Sequence, residues 1–276
     1  MQMSQEQLRQ LQTQELEILL RIDELCKKHQ ITYFLAEGTL LGAVRHKGFI
    51  PWDDDVDIMM MRSEYEKFLK IAPEGIGGDL FIQHASTTRP YWSPFIKVRL
   101  VREPLIFVQK HIAHLTSMNG PCVDIFPVDD VPKACSFGQD VQGLCIDYLR
   151  NFLSLKLSLY KPVNLKQRLF KLISLLVPER LIHWCLRRLF SLFDSPNNEF
   201  AVNLASYYHW QKQTVPKALY GEPVMWEFEG HLLPIPRGYH ELLTRIYGDY
   251  LQLPPEEKRG IQHNYIPVSG MGVHDE

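Results

Sequence analysis

Asp53, Asp55 and Asp57 alternate in the segment Trp52-Asp53-Asp54-Asp55-Val56-Asp57-Ile58. On an extended chain these positions share one face, while Val56 and Ile58 turn toward the core. Gathered carboxylates repel one another, and a divalent cation placed among them offsets that cost. Upstream, Ala36-Glu37-Gly38-Thr39-Leu40-Leu41-Gly42-Ala43-Val44-Arg45-His46 reads as a small-residue turn entering a short helix. Such a turn offers backbone N–H groups to an anion. A further acid lies between apolar residues in Val123-Asp124-Ile125. On a neighbouring strand it can complete the site, as a ligand or as a base for an attacking hydroxyl. A cation beside a phosphate cradle points to phosphoryl-type chemistry with Mg2+ or Mn2+.

Asp53, Asp55, Asp57 and Glu64 also match positions of a calcium-binding loop. That loop needs glycine at its sharp turn. Ile58 stands there, inside the apolar run Ile58-Met59-Met60-Met61. The run fits a strand, and the calcium loop is rejected. A merely solvated acidic turn leaves unexplained why the acids enter a strand directly.

The elements that must position these residues follow from periodicity. Ser4 with Gln7 predicts an N-cap, and Leu8, Leu11, Ile18, Leu19, Ile22 and Leu25 predict a helix over 4–29. Strands are expected at 31–35, 56–61, 80–84, 95–101 and 123–128, with a helix at 62–71 and a turn at Asn119-Gly120-Pro121. Residues 148–193 read as helices broken at Pro162 and Pro178, and carry nine Lys or Arg against one acid, Glu179. The basic block suits a solvated face, or an anionic membrane surface or acidic polymer. Short strands at 224–228 and 231–235 and a helix at 239–247 follow.

A chain of 276 residues with net charge −2 supports a sizeable core and is no obvious nucleic-acid binder. The five cysteines are widely spaced, without a CxxC pair, as expected of free thiols in a reducing cytoplasm. The polar N-terminus lacks a signal-peptide pattern, and no apolar run reaches the roughly 18–20 residues of a membrane span. The expectation is a cytoplasmic protein, in peripheral contact at most with the membrane's inner face.

The spacing from Gly38-Thr39 to Asp55-Val56-Asp57-Ile58 resembles the signature of the nucleotidyltransferase fold. The Glu37–His46 segment, the block from Gly48 to Asp57, and the late Tyr247-Gly248-Asp249-Tyr250 with Leu253-Pro254-Pro255 resemble the LicD/fukutin family more closely. The resemblance implies an α/β (α+β) fold, a mixed sheet flanked by helices with a mostly helical insertion. The change of character after about residue 140 and the return to short strands from about 214 divide the chain into a catalytic core (1–140), a basic helical insertion (141–213) and a C-terminal segment closing the site (214–276).

The resemblance further implies a metal-dependent phosphocholine transferase. CDP-choline would be the donor and a sugar hydroxyl of a cell-surface glycan, of teichoic acid type, the acceptor, with CMP released. Asp53, Asp55, Asp57 and Asp124 would hold the metal, and Asp55, Asp57 and Asp124 would be catalytic. Glu37, Gly38, Thr39, Arg45, Lys97, Arg99 and His263 would bind substrate, with Lys258 and Arg259 closing over the site. Choline is a quaternary ammonium held by aromatic faces; Trp52, Tyr91 and Trp92 are the candidates. Two rivals remain at this level: a nucleotidyltransferase that releases pyrophosphate, and a noncatalytic module that binds anionic glycan.

Overall fold

The predicted capping box closes: the Gln7 N–H donates to the Ser4 hydroxyl, and the Ser4 N–H donates to the Gln7 side chain. It starts α1 (Gln5–His29), whose buried stripe includes Ile18, Leu19, Ile22 and Leu25. The computed structural model describes residues 3–101, 107–110, 112, 114, 120–132, 136–261, 263 and 265–267. Asn119 of the expected turn, Cys135 and the tail 268–276 lie outside the described residues.

After α1 come β1 (Phe34–Leu35), α2 (Glu37–His46), β2 (Val56–Met61), α3 (Arg62–Gly75), β3 (Leu80–Gln83), β4 (Ile96–Leu100) and β5 (Phe107–Gln109). Next are β6 (Cys122–Val131) and three helices, α4 (Phe137–Lys156), α5 (Leu165–Leu176) and α6 (Glu179–Phe190). The chain continues through β7 (Phe200–Val202), α7 (Trp210–Gln213), β8 (Val215–Pro216), β9 (Val224–Phe228), β10 (His231–Ile235), α8 (Tyr239–Tyr247) and β11 (Tyr265–Pro267). The strand expected at 31–35 is shorter because its first backbone groups are used elsewhere. The Ile31 N–H donates to the Cys26 carbonyl, and the Thr32 N–H to the Glu64 carboxylate.

The fold is mixed α/β, a curled sheet flanked by helices. The central order is β1-β2-β6-β4-β3, with β2 and β6 parallel and the other neighbours antiparallel. The long β6 carries β4 along its first half, and β7 pairs with its second half, Asp129 opposite Val202. The sheet therefore extends into the 141–213 segment, whose first helix starts at Phe137.

Alternation sorts the two faces. Val56, Ile58, Val98, Val123 and Ile125 pack with Ile18, Ile22 and Phe68 of α1 and α3. Met59, Phe126 and Val128 pack on the opposite side with Ile146, Leu153 and Ile182 of the helical block. On this second face the apolar residues give way to charge at the start of β2 and β6. Among the described residues no helix is long and apolar enough to cross a membrane.

Candidate active site

The register of three strands builds the centre. Asp57 on β2 is opposite Asp124 on β6, which is opposite Lys97 on β4. The three side chains stand abreast on the face that carries Met59 and Phe126 one step further along. The Lys97 ammonium donates to both Asp124 oxygens, at 2.7 and 2.5 Å. Burial alone would lower the Lys97 pKa, but the neighbouring Asp124 more than offsets it and holds the ammonium above its ordinary value.

The turn before β2 gathers the other acids. One oxygen from each of Asp53, Asp54 and Asp55 lies within 4.8 Å of the others. Asp54 is fully buried and accepts the His263 N–H at 3.0 Å, with the ring Nδ1 at 3.3 Å. It anchors the late segment. Burial would lower the His263 pKa, but the Asp54 hydrogen bond and the charges of Asp55 and Asp54 together hold the ring above its ordinary value.

Gly38 and Thr39 do work that their types alone leave open. A Cβ on Gly38 would sit 2.9 Å from the Asp53 carboxylate, so only glycine lets that acid reach the start of α2. Gly38→Ala displaces Asp53, and divalent-cation affinity measured by titration calorimetry is expected to fall about tenfold or more. The Thr39 hydroxyl accepts the Asp57 N–H at 2.8 Å, and the Ala36 N–H donates to the Asp57 carbonyl at 2.9 Å. These bonds fix the turn to the first charged residue of β2. Glu37, at φ 44, occupies the left-handed region, a strained conformation for a side chain of this size. Its carboxylate accepts from Gln213 at 3.2 Å.

A cavity of about 950 Å3 opens over this centre. It is large enough for a nucleotide-sized ligand. Asp53, Asp55, Asp57 and Asp124 line it, together with Glu37, Gly38 and Lys97. Arg45, Trp52 and Trp92 also face it, as do Lys258, Arg259 and His263. The late segment contributes Tyr247, Asp249, Tyr250 and Leu253 to Pro255.

Three expected site residues are not among those lining it. Thr39 is buried and supports Asp57 from behind. Arg99 shares the Lys97 face but lies two residues on, where Gln83 and the Gly120 carbonyl accept from its guanidinium. Tyr91 is completely buried, its hydroxyl donating to the Gln83 and Phe95 carbonyls. Trp92 lines the cavity, whereas Tyr91 turns into the core. Trp52 already stacks with a cation, the Arg259 guanidinium 5.5 Å from its ring.

Sequence reasoning also missed residues. Tyr208 and Tyr247 meet edge to face with ring centroids 5.6 Å apart, and both line the cavity. Tyr208 lies in the loop before α7 and Tyr247 ends α8, so no local spacing links them. Glu15 is buried on α1, its carboxyl pushed well above the usual range by burial and then by Cys122 and the nearby aspartates. It sits on the buried stripe of α1 between Leu11 and Ile18, while its sequence neighbours are mostly polar.

The acids are under electrostatic load. Burial, the His263 charge pulling down and the other aspartates pushing up leave Asp55 at about 6. Burial, partly relieved by bonds from Ser206 and Gln213, sets Glu37 at about 7. Asp53 and Asp57 are also driven upward, by burial and then by Asp55. Asp124 has Lys97, whereas Asp53, Asp55 and Asp57 have mostly one another. That set fits a divalent cation.

The load has a consequence for stability. Asp55 and Glu37 keep protons in the fold that the unfolded chain releases near pH 4. Between about pH 4 and 7 the folded state binds more protons, so stability falls as pH rises through this window. The melting temperature of metal-free protein is expected to drop from pH 5 to pH 7.5. A flat or rising profile would contradict the load.

The family model described as the LicD/FKTN/FKRP nucleotidyltransferase domain matches residues 30–180. The chain belongs to the LicD family. It is 30% identical over 270 residues to the lipopolysaccharide cholinephosphotransferase LicD of Haemophilus influenzae, covering 93% of this chain and 96% of that protein. An uncharacterized protein of Rickettsia typhi is 51% identical over 51 residues, 18% of this chain and 16% of its own. In this LicD-family chain the model match spans β1 to the start of α6, and so includes every carboxylate of the strand row.

Proposed function

We propose that this protein transfers phosphocholine from CDP-choline to a sugar hydroxyl of a cell-surface glycan, lipopolysaccharide or teichoic acid in type, and releases CMP. The observation that carries the reading is the row Asp57–Asp124–Lys97, with Asp53 and Asp55 beside it, lining one nucleotide-sized cavity in a chain similar over almost its full length to a cholinephosphotransferase.

Asp53, Asp55 and Asp57 would hold Mg2+ or Mn2+. When bound, the ion supplies charge neutralisation at the diphosphate and the departing CMP. The acceptor oxygen attacks the phosphorus that bears choline. A bond forms there, and the bond from that phosphorus to the bridging oxygen breaks. CMP departs with the electron pair, and the hydroxyl proton passes to Asp124. Lys97 holds Asp124 in place by its two hydrogen bonds. Arg45, Lys258 and Arg259 bring positive charge to phosphate oxygens. Trp92 and the Tyr208–Tyr247 pair offer aromatic faces to the quaternary ammonium, with Glu37 close to the pair as its counter-charge.

A product assay tests the reading. With choline-labelled CDP-choline, Mg2+ and a lipopolysaccharide or teichoic acid acceptor, label appears on the glycan and CMP forms in equal amount. Release of pyrophosphate from a nucleoside triphosphate instead would establish the nucleotidyltransferase. Glycan binding without metal-dependent turnover, unchanged in Asp55→Asn/Asp57→Asn, would leave a binding module.

A further inference from the structure

A second cavity of about 690 Å3 adjoins the acidic one and shares Trp92, Lys97, Tyr207 and His263 with it. Its charge is opposite. Lys97, Lys110, Arg150 and Lys161 line it, and the described residues lining it include no carboxylate. The first cavity carries Glu37, Asp53, Asp55, Asp57, Asp124 and Asp249. Arg150 is built in: its guanidinium donates to the Ser206 carbonyl at 3.0 Å and lies 5.4 Å from the Tyr207 ring. Ser154 and Ser158 add hydroxyls. None of Lys110, Arg150 or Lys161 is used by the donor chemistry.

Converging cations repel one another, and an anion among them removes that cost. A neutral sugar needs no such set; a phosphorylated one does. Aromatic faces such as Trp92 and Tyr207 suit the apolar side of a sugar ring. We propose that the second cavity binds the acceptor as a phosphate-bearing saccharide. Its phosphate lies among Lys110, Arg150 and Lys161, and its ring against the shared aromatic wall, which directs a hydroxyl toward the acidic centre. The proposal rests on the transferase reading and adds the class of acceptor to it.

Titration calorimetry with three probes tests it: a hexose 6-phosphate, the free hexose, and CDP-choline. The phosphorylated hexose is expected to bind at least tenfold more tightly than the free one. Lys110→Ala/Lys161→Ala should weaken it tenfold or more and leave CDP-choline affinity within twofold. Arg168→Glu, outside the cavity, should change neither. Equal affinity for both hexoses, an unchanged affinity in the double variant, or simple competition between hexose phosphate and CDP-choline would overturn the proposal. Failure of CDP-choline to bind, with the hexose phosphate result intact, would overturn the donor reading and not this site.

A separate observation concerns α5. Only Ser174 of this helix is buried, while Leu165, Leu169, Leu172, Leu175 and Leu176 are between 57% and 84% exposed. Clustered leucines of this kind mark an interaction surface. The block around them carries nine basic residues and one acid, so stacking a second copy here would bring like charges together. An anionic lipid surface offers both the opposite charge and an apolar interior. We infer that α5 lies on an anionic membrane surface. The protein should sediment with phosphatidylglycerol-containing vesicles at low salt, and not with pure phosphatidylcholine. Leu169→Glu/Leu172→Glu should lose most of that binding and keep CDP-choline affinity. Absent sedimentation, unaltered binding in the variant, or a dimer by light scattering that the variant dissolves would each overturn it.

Discussion

Replacing Asp57 by asparagine lowers kcat by about a thousandfold or more and raises the melting temperature of the metal-free protein. The two effects share one cause. Asp57 is buried among Asp55, Glu37, Asp124 and Asp53, and each disfavours its charge. Asparagine keeps the shape, and the backbone bonds to Thr39 and Ala36 are unaffected. It removes a carboxyl whose ionisation the fold disfavours, which relaxes the fold. On the proposed reading the same change takes away a cation ligand. Mg2+ therefore stabilises the parent by mass action and has little effect on the variant. Thermal melts with and without Mg2+, beside the product assay, check both arms. A variant within tenfold of the parent's turnover would remove Asp57 from the chemistry.

The second large effect belongs to Lys97. Its side chain is 8% exposed and that of Asp124 14%, so this pair is poorly screened by solvent. Lys97→Met leaves Asp124 beside Asp57 without its counter-charge. Breaking a buried pair on one side costs about 3 kcal/mol, read as a shift of the urea midpoint. Activity falls with it, by about a hundredfold, because Asp124 loses the contacts that hold it. Adding Asp124→Asn removes the stranded charge, so Lys97→Met/Asp124→Asn recovers much of the stability and none of the activity. If the double variant were less stable than the single one, the lysine would be holding the fold by packing and not by charge.

Much of the centre was legible because β structure keeps a strict two-residue period. Ile58 in place of glycine identified β2 as a strand, and the acid–apolar alternation then fixed which face Asp57 takes. Asp124 was legible for the same reason. What the period could not supply was how far along β4 the cavity reaches, and so Arg99 was grouped with Lys97 although Gln83 and Gly120 cover it. Nor does it say which of two neighbouring aromatics turns outward, so it groups Tyr91 with Trp92. The Tyr208–Tyr247 contact and the adjoining basic cavity arise from segments far apart in sequence, where no local pattern bears on distance. β7 and β8 are too short to show a period; pairing makes them strands, β7 on β6 and β8 on β7.

That one strand also sets the order in which the molecule can assemble. β6 pairs with β2, made early in the chain, and with β7, made some seventy residues after it. Contacts so distant in sequence require long loops to close before they give anything back, and they slow folding. During synthesis Asp57 therefore waits without Asp124 and Lys97 abreast of it, and the outer half of β6 stays an open edge until residue 202 has left the ribosome. A nascent chain halted between α4 and β7 would hold the Asp57–Asp124–Lys97 row beside an unpaired strand end, the form in which this protein is most exposed to aggregation.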